Sequence, residues 1–223
     1  MKKILIFFGS YGGGHRSAAN AIKNYIDENY KDTQTQMIDC IEYINKVVNK
    51  ITTKAYTGMA KKAPWAWKKV YYGAEKGVIS RVSNASNYLM SNKLLKLIRE
   101  EAPDLIVSTH PFSSQMCAIL KKKGKLSCKV ATVMTDFHIH SQWTAHADFV
   151  DYFFVSNEQM KEDLIECGID GVKVFVTGIP ISQRFSEKFD KVSLLESFGL
   201  KENVFTVLFF AGGAFGLRKR ENF

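Results

Sequence analysis

Short β-branched and aromatic runs alternate along this chain with longer stretches of helical periodicity, and few folds accommodate that order. The runs fall at 3–8, 36–39, 104–108, 129–135, 152–155 and 172–176. Between them, 17–30, 87–101, 113–123 and 158–167 carry apolar residues three and four apart. Apolar strands separated by crossover helices pair in parallel and are covered on both faces. The expected fold class is therefore α/β, a Rossmann-like doubly wound parallel sheet. Ligands of such sheets collect at the carboxyl ends of the strands.

Two interruptions suggest the domain organisation. Between Asp39 and Asp104 the chain runs for about sixty residues without a strand, far more than a simple crossover needs. A helical insertion is expected at about 41–100, inside a first domain covering 1–189. A linking helix at 190–200 then leads to a strand at 204–210 that opens onto Gly212 and Gly213. The segment 190–223 thus reads as a linker and the start of a second α/β domain whose remainder is absent.

The 223 residues are 46% hydrophobic and 24% charged, the balance of a folded globular chain rather than a disordered one. A net charge of +9 favours an anionic partner: a nucleic acid, an acidic lipid surface or a phosphorylated substrate. The four cysteines, Cys40, Cys117, Cys128 and Cys167, show no spacing for zinc or for a redox pair and read as reduced thiols. The first residues resemble a signal peptide, but Gly9 ends the apolar run too early. No segment reaches the roughly 18 to 20 apolar residues of a membrane span. Contact with a membrane surface is expected, and crossing it is not.

The densest chemistry lies at strand ends. The loop Ser10-Tyr-Gly-Gly-Gly-His15 joins the first strand to the first helix. Gly12, Gly13 and Gly14 would let backbone approach a ligand there, and the helix N-terminus offers free N–H groups and a positive dipole to a phosphate. A tight turn that merely needs glycine is the plain alternative. The pattern also nearly fits a dinucleotide fingerprint, with Asp39 as the ribose-binding acid, but Ser17 replaces the third glycine. That reading would make the chain an NAD(P)-dependent oxidoreductase, and it leaves His15 unexplained. His15 has the position and the near-neutral pKa of a general base. Its alternative role is to cap the helix.

After the fourth strand, Thr135-Asp-Phe-His-Ile-His140-Ser-Gln-Trp143 gathers an acid, two histidines and an indole, with His146 beyond. Asp136 would orient a proton-transfer partner, His140 would bind substrate and Trp143 would stack on substrate or lipid. A metal site using Asp136, His138, His140 and His146 has enough ligands but lacks a known zinc spacing. His110, in Ser108-Thr-His-Pro-Phe112, would line the cleft or serve as a structural turn residue. In the insertion, Lys61, Lys62, Trp65, Trp67, Lys68 and Lys69 interleave cations with interfacial aromatics, the composition of a membrane-surface segment. A solvated face over core aromatics and a single-strand nucleic-acid platform are the competing readings.

Taken together, Gly12-Gly-Gly-His-Arg-Ser17, Ser108-Thr-His-Pro111, Thr135-Asp136 with His140 and Trp143, and Thr177-Gly-Ile-Pro-Ile181 resemble one family. It is that of monogalactosyldiacylglycerol synthases and processive diacylglycerol glucosyltransferases. The resemblance extends over essentially the whole chain. It implies a GT-B fold, two Rossmann-like domains facing across a cleft, with this chain as the acceptor-binding half. It further implies His15 as the base in an inverting transfer from a UDP-hexose to diacylglycerol, with Asp136 in the catalytic set. Gly12, Gly13, Gly14, Gly212 and Gly213 would face the donor, with neither metal nor cofactor required. An anionic membrane surface on the inner face of the cell membrane is the implied location, and nucleic acid is not an expected partner. Because most of the donor-binding domain is missing, this chain is expected to be inactive alone. A non-catalytic membrane-binding remnant is the alternative.

Overall fold

The computed structural model describes residues 1–9, 13–44 and 78–208, with the side chains of 78–89 excepted. Six strands form one parallel sheet: β1 (Lys2–Phe8), β2 (Thr33–Asp39), β3 (Leu105–Ser108), β4 (Lys129–Val133), β5 (Tyr152–Val155) and β6 (Val174–Val176). Their order is β2-β1-β3-β4-β5-β6. The helices are α1 (Gly14–Asn29), α2 (Cys40–Ile44), α3 (Val78–Glu101), α4 (Pro111–Lys122), α5 (Ser141–Thr144), α6 (Glu158–Glu166) and α7 (Lys191–Ser197). This is the doubly wound Rossmann-like α/β arrangement expected from the alternation of strands and helices. The order reverses at β1, where β2 lies on one side and β3 on the other, and crevices for ligands open at such points.

Alternation along each strand separates two apolar layers. Leu5 and Phe7 of β1 face one layer with Leu94, Ile98, Met116, Leu120 and Phe153. Ile6 and Phe8 face the other with Ala19, Val107, Ala131 and Val133. Burial on both faces explains why the central strands read as continuous apolar runs rather than alternating ones.

The ends of several elements differ from expectation for identifiable reasons. Helix α1 begins at Gly14, earlier than its apolar periodicity, because Ser17 N–H already bonds the Gly13 carbonyl at 2.9 Å. His15 therefore sits in the first helical turn rather than in the loop before it. Helix α3 starts well before 87; Ser83, Asn84, Ser86 and Asn87 are weak helix formers that hide the periodicity. Strand β6 starts at Val174, since Asp170 caps a 3-10 turn over Gly171–Lys173. The strand expected at 204–210 does not form over 204–208. A strand exists through pairing, and this stretch joins no ladder among the described residues; Phe205 is 93% exposed. Helices α2 and α3 flank 45–77, but the expected insertion lies mostly outside the described residues. So do Gly12, Gly212, Gly213, Lys61, Lys62, Trp65, Trp67, Lys68 and Lys69. No described helix is long and apolar enough to cross a membrane.

Candidate functional site

Residues just beyond the carboxyl ends of β3 and β4, neighbours in the sheet, converge on His15 in the first turn of α1. The imidazole is half-buried. Its Nδ1 lies 2.6 Å from the Thr109 carbonyl oxygen and 2.8 Å from Thr135 Oγ1. In return, Thr109 Oγ1 donates to the His15 carbonyl at 2.9 Å, while Thr109 N–H donates to Phe7 O, also at 2.9 Å. A carbonyl can only accept, so Nδ1 must carry the proton in the neutral ring. That leaves the lone pair on Nε2, which has no hydrogen-bond partner among the described residues. Burial depresses the pKa of His15. The Thr109 carbonyl and the charge of Asp136 oppose the shift without cancelling it, and His140 adds to it. Near neutral pH the ring is therefore a proton acceptor at Nε2.

The glycines before His15 leave space. Gly13 occupies the N-cap of α1 with no side-chain cap, and the first turn contains no acidic residue. A Cβ added at Gly13 or Gly14 would meet nothing within 4 Å among the described residues. The start of this helix thus presents N–H groups without a side-chain cap, and a positive dipole.

His110 has a structural task. It is the N-cap of α4, its Nδ1 accepting the Phe112 N–H at 3.2 Å, with Pro111 at the first helical position. At 3% exposure it is buried, and its ring lies 4.5 Å from that of His15, edge to face. Burial, reinforced by His15 and His140, holds its pKa well below the ordinary value. It forms part of the wall behind His15 and presents almost no surface to a ligand.

Gly9 is where this wall allows no side chain. A Cβ there would stand 2.7 Å from His110 Cδ2, and the imidazole is fixed by its capping bond. Gly9→Ala is expected to destabilise the fold by about 1–3 kcal/mol, measured as a lower midpoint in urea. An unchanged midpoint would mean that the His110 ring is free to yield.

Asp136 is turned toward its own loop. Its Oδ2 accepts the Trp143 indole N–H at 2.7 Å and lies 3.5 Å from His140 Nε2. Burial raises its pKa, but the bonds from His140 and Trp143 outweigh that and keep it below the usual carboxylate range. Its influence on His15 is electrostatic, while the hydrogen bonds that orient the base come from Thr109 and Thr135. Trp143 is 1% exposed and belongs to the core, so its ring offers no face for stacking on substrate or lipid. A clamp holds the ring there: Ser156 Oγ donates to Asp136 O at 3.0 Å, and Gln115 Nε2 to Gln142 O at 2.5 Å. Together they draw the loop inward over Trp143. Among the described residues no three His, Cys, Asp or Glu side chains converge as a metal site requires.

Thr109 and Thr135 lie within the sequence motifs but have no role assigned there, although Thr135 directly precedes Asp136 at a strand end, a usable signal. Thr109 acts mainly through a backbone carbonyl, which leaves no mark in sequence.

Half-buried His15 and buried His110 give the fold a defined response to pH. Their pKa values are lower folded than unfolded, so the unfolded chain takes up protons first as pH falls below the ordinary histidine value. Their contribution to stability is complete above about pH 6.5 and is lost as pH falls through the folded values. Thermal melts should show Tm dropping below that pH, before the carboxylates titrate. His110→Asn, which retains a cap acceptor, should flatten the drop, and an equally steep drop in that variant would contradict this origin.

A parallel Rossmann-like sheet with a neutral histidine beside an uncapped helix N-terminus defines a class of site suited to proton abstraction next to a bound anion. The model of the monogalactosyldiacylglycerol (MGDG) synthase family matches residues 15–181, and the chain belongs to that family. A processive diacylglycerol beta-glucosyltransferase of Staphylococcus epidermidis is 32% identical over 223 residues, 98% of this chain and 54% of that protein. The one from Staphylococcus carnosus is 31% identical over 220 residues, with the same coverage. The chain thus spans about half the length of the curated relatives it matches. Among solved structures, the UDP-GlcNAc 2-epimerase of Neisseria meningitidis bound to UDP-GlcNAc aligns with TM-score 0.47 and 9% identity, over 79% of this chain and 46% of that one. So loose a likeness carries no argument.

Proposed function

We propose that the chain is the acceptor-binding half of an inverting GT-B glycosyltransferase that moves a hexose from a UDP-sugar to diacylglycerol at a membrane surface. The observation that carries this reading is the Thr109 carbonyl on His15 Nδ1, which leaves Nε2 to act as the base. Nε2 takes the proton of the acceptor hydroxyl as its oxygen attacks the anomeric carbon. The glycosidic bond to UDP breaks, its electron pair leaves with the phosphate, and the configuration inverts. Gly13 and Gly14 at the start of α1 stabilise the charge developing on that phosphate. Asp136 favours the imidazolium formed in the step through its negative charge, while His110 and His140 complete the wall.

Membership of a diacylglycerol glycosyltransferase family supports this activity over a dinucleotide-dependent oxidoreductase and over a non-catalytic remnant. The cationic aromatic segment containing Lys61, Lys62, Trp65, Trp67, Lys68 and Lys69 would dock on anionic lipid at the cytoplasmic face of the membrane. UDP-hexose as donor, an anionic surface as partner and an acceptor half that is inactive alone belong to the same proposal. The test incubates the full gene product with labelled UDP-glucose or UDP-galactose and vesicles containing diacylglycerol. Label should enter the lipid fraction with one of these donors. Failure with both, for a folded protein, overturns the proposal.

A further inference from the structure

We propose that Thr135 is a positioning residue for His15, its hydroxyl oxygen sharing with the Thr109 carbonyl the Nδ1 proton and the positive charge that the ring acquires. The inference rests on the reading of His15 as the base and adds a residue to it. In many enzymes a histidine base is oriented by a carboxylate on its far nitrogen. Here the carboxylate, Asp136, turns its Oδ2 to Trp143 and His140 rather than to His15. Two neutral oxygens occupy the orienting position instead, at 2.6 and 2.8 Å.

The roles of these groups follow from donor chemistry. If Thr135 donated to Nδ1, the lone pair of that nitrogen would confront the Thr109 carbonyl oxygen at 2.6 Å, an arrangement of two acceptors. The Nδ1–H is therefore divided between the two oxygens. When Nε2 gains a proton, that N–H becomes a stronger donor and both bonds tighten. Placement supports the same role: Thr135 lies just beyond β4, where Met134 N–H still bonds Phe154 O at 2.9 Å and extends the strand's grip. Among the described residues, the titratable and charged groups around the ring are Asp136 and His140 from the loop after β4, and His110 at the start of α4. Arg16 follows on the same helix, with its guanidinium over the Phe8 ring.

The test combines two readouts on Thr135→Val, which keeps the shape and removes the hydroxyl, and on Thr135→Ser, which retains it. Nitrogen-15 NMR of the 223-residue chain follows the titration of His15. Thr135→Val should move its midpoint to lower pH with the neutral-ring proton still on Nδ1, while Thr135→Ser should keep the parent midpoint. In the full gene product, Thr135→Val should lower kcat about tenfold with the donor KM unchanged, and Thr135→Ser should stay within about threefold. An unmoved midpoint in Thr135→Val, or a loss carried wholly by KM, overturns the proposal. If His15→Ala left transfer unaffected, the base assignment itself would fall, and the titration would still report whether Thr135 holds the ring.

Discussion

His15→Ala should lower kcat of the full gene product about 100- to 10,000-fold, the usual contribution of a positioned general base. The donor KM should change little, because the start of α1, which has no side-chain cap, remains. Pre-steady-state mixing with UDP-sugar and diacylglycerol vesicles separates the two effects. His15→Gln, which can still form a hydrogen bond but cannot take a proton, should be equally slow. The pH profile of kcat/KM in the parent should have an acid limb with its midpoint below the ordinary histidine value, since burial favours the neutral ring. That limb should vanish from whatever rate the alanine variant retains. A variant within threefold of the parent would remove His15 from the chemistry.

Trp143→Ala should cost the fold about 3–5 kcal/mol, as for other fully buried large aromatics. The indole is among the largest side chains that this core encloses completely, and its loss leaves a cavity beneath the loop after β4. It also removes the N–H bonded to Asp136. Trp143→Phe separates these effects, since it fills most of the volume and loses only the hydrogen bond, for about 1 kcal/mol. Denaturant unfolding of both variants measures the difference. If Trp143→Ala cost no more than Trp143→Phe, the residue would be a surface aromatic after all, and its reading as a stacking platform would return.

The sheet was legible in the sequence because burial on both faces makes each central strand a short apolar run, and the helices between such runs can pack only on a parallel sheet. The edges were less legible. Strand β6 and helix α1 begin where a capping aspartate or a backbone hydrogen bond decides the boundary, and such decisions leave little trace in periodicity. His15 was legible as the sole histidine of the first hundred residues, placed at the end of a strand and beside three glycines. Its partners were not. A backbone carbonyl has no signature, and an acid next to histidines invites pairing with the wrong one: Asp136 bonds His140 and Trp143, while Thr135 turns to His15. Trp143 shows the opposite failure. An indole in a polar loop reads as a ligand platform, and only tertiary packing reveals that the loop folds inward around it.

These residues form one chain of cause. Parallel strands place Thr109 and Thr135 beside His15, a threonine carbonyl fixes the histidine tautomer, and the ring belongs to the first turn of a helix whose N-terminus has no side-chain cap. The stereochemistry of the product tests this most directly. The full gene product would be given an α-linked UDP-hexose and diacylglycerol, and the anomeric coupling of the glycolipid read by proton NMR. Direct attack by the acceptor deprotonated at His15 predicts a β-glycoside that His15→Ala makes at least a hundredfold more slowly. An α-glycoside, or a β-glycoside formed at the parent rate without His15, would contradict the account.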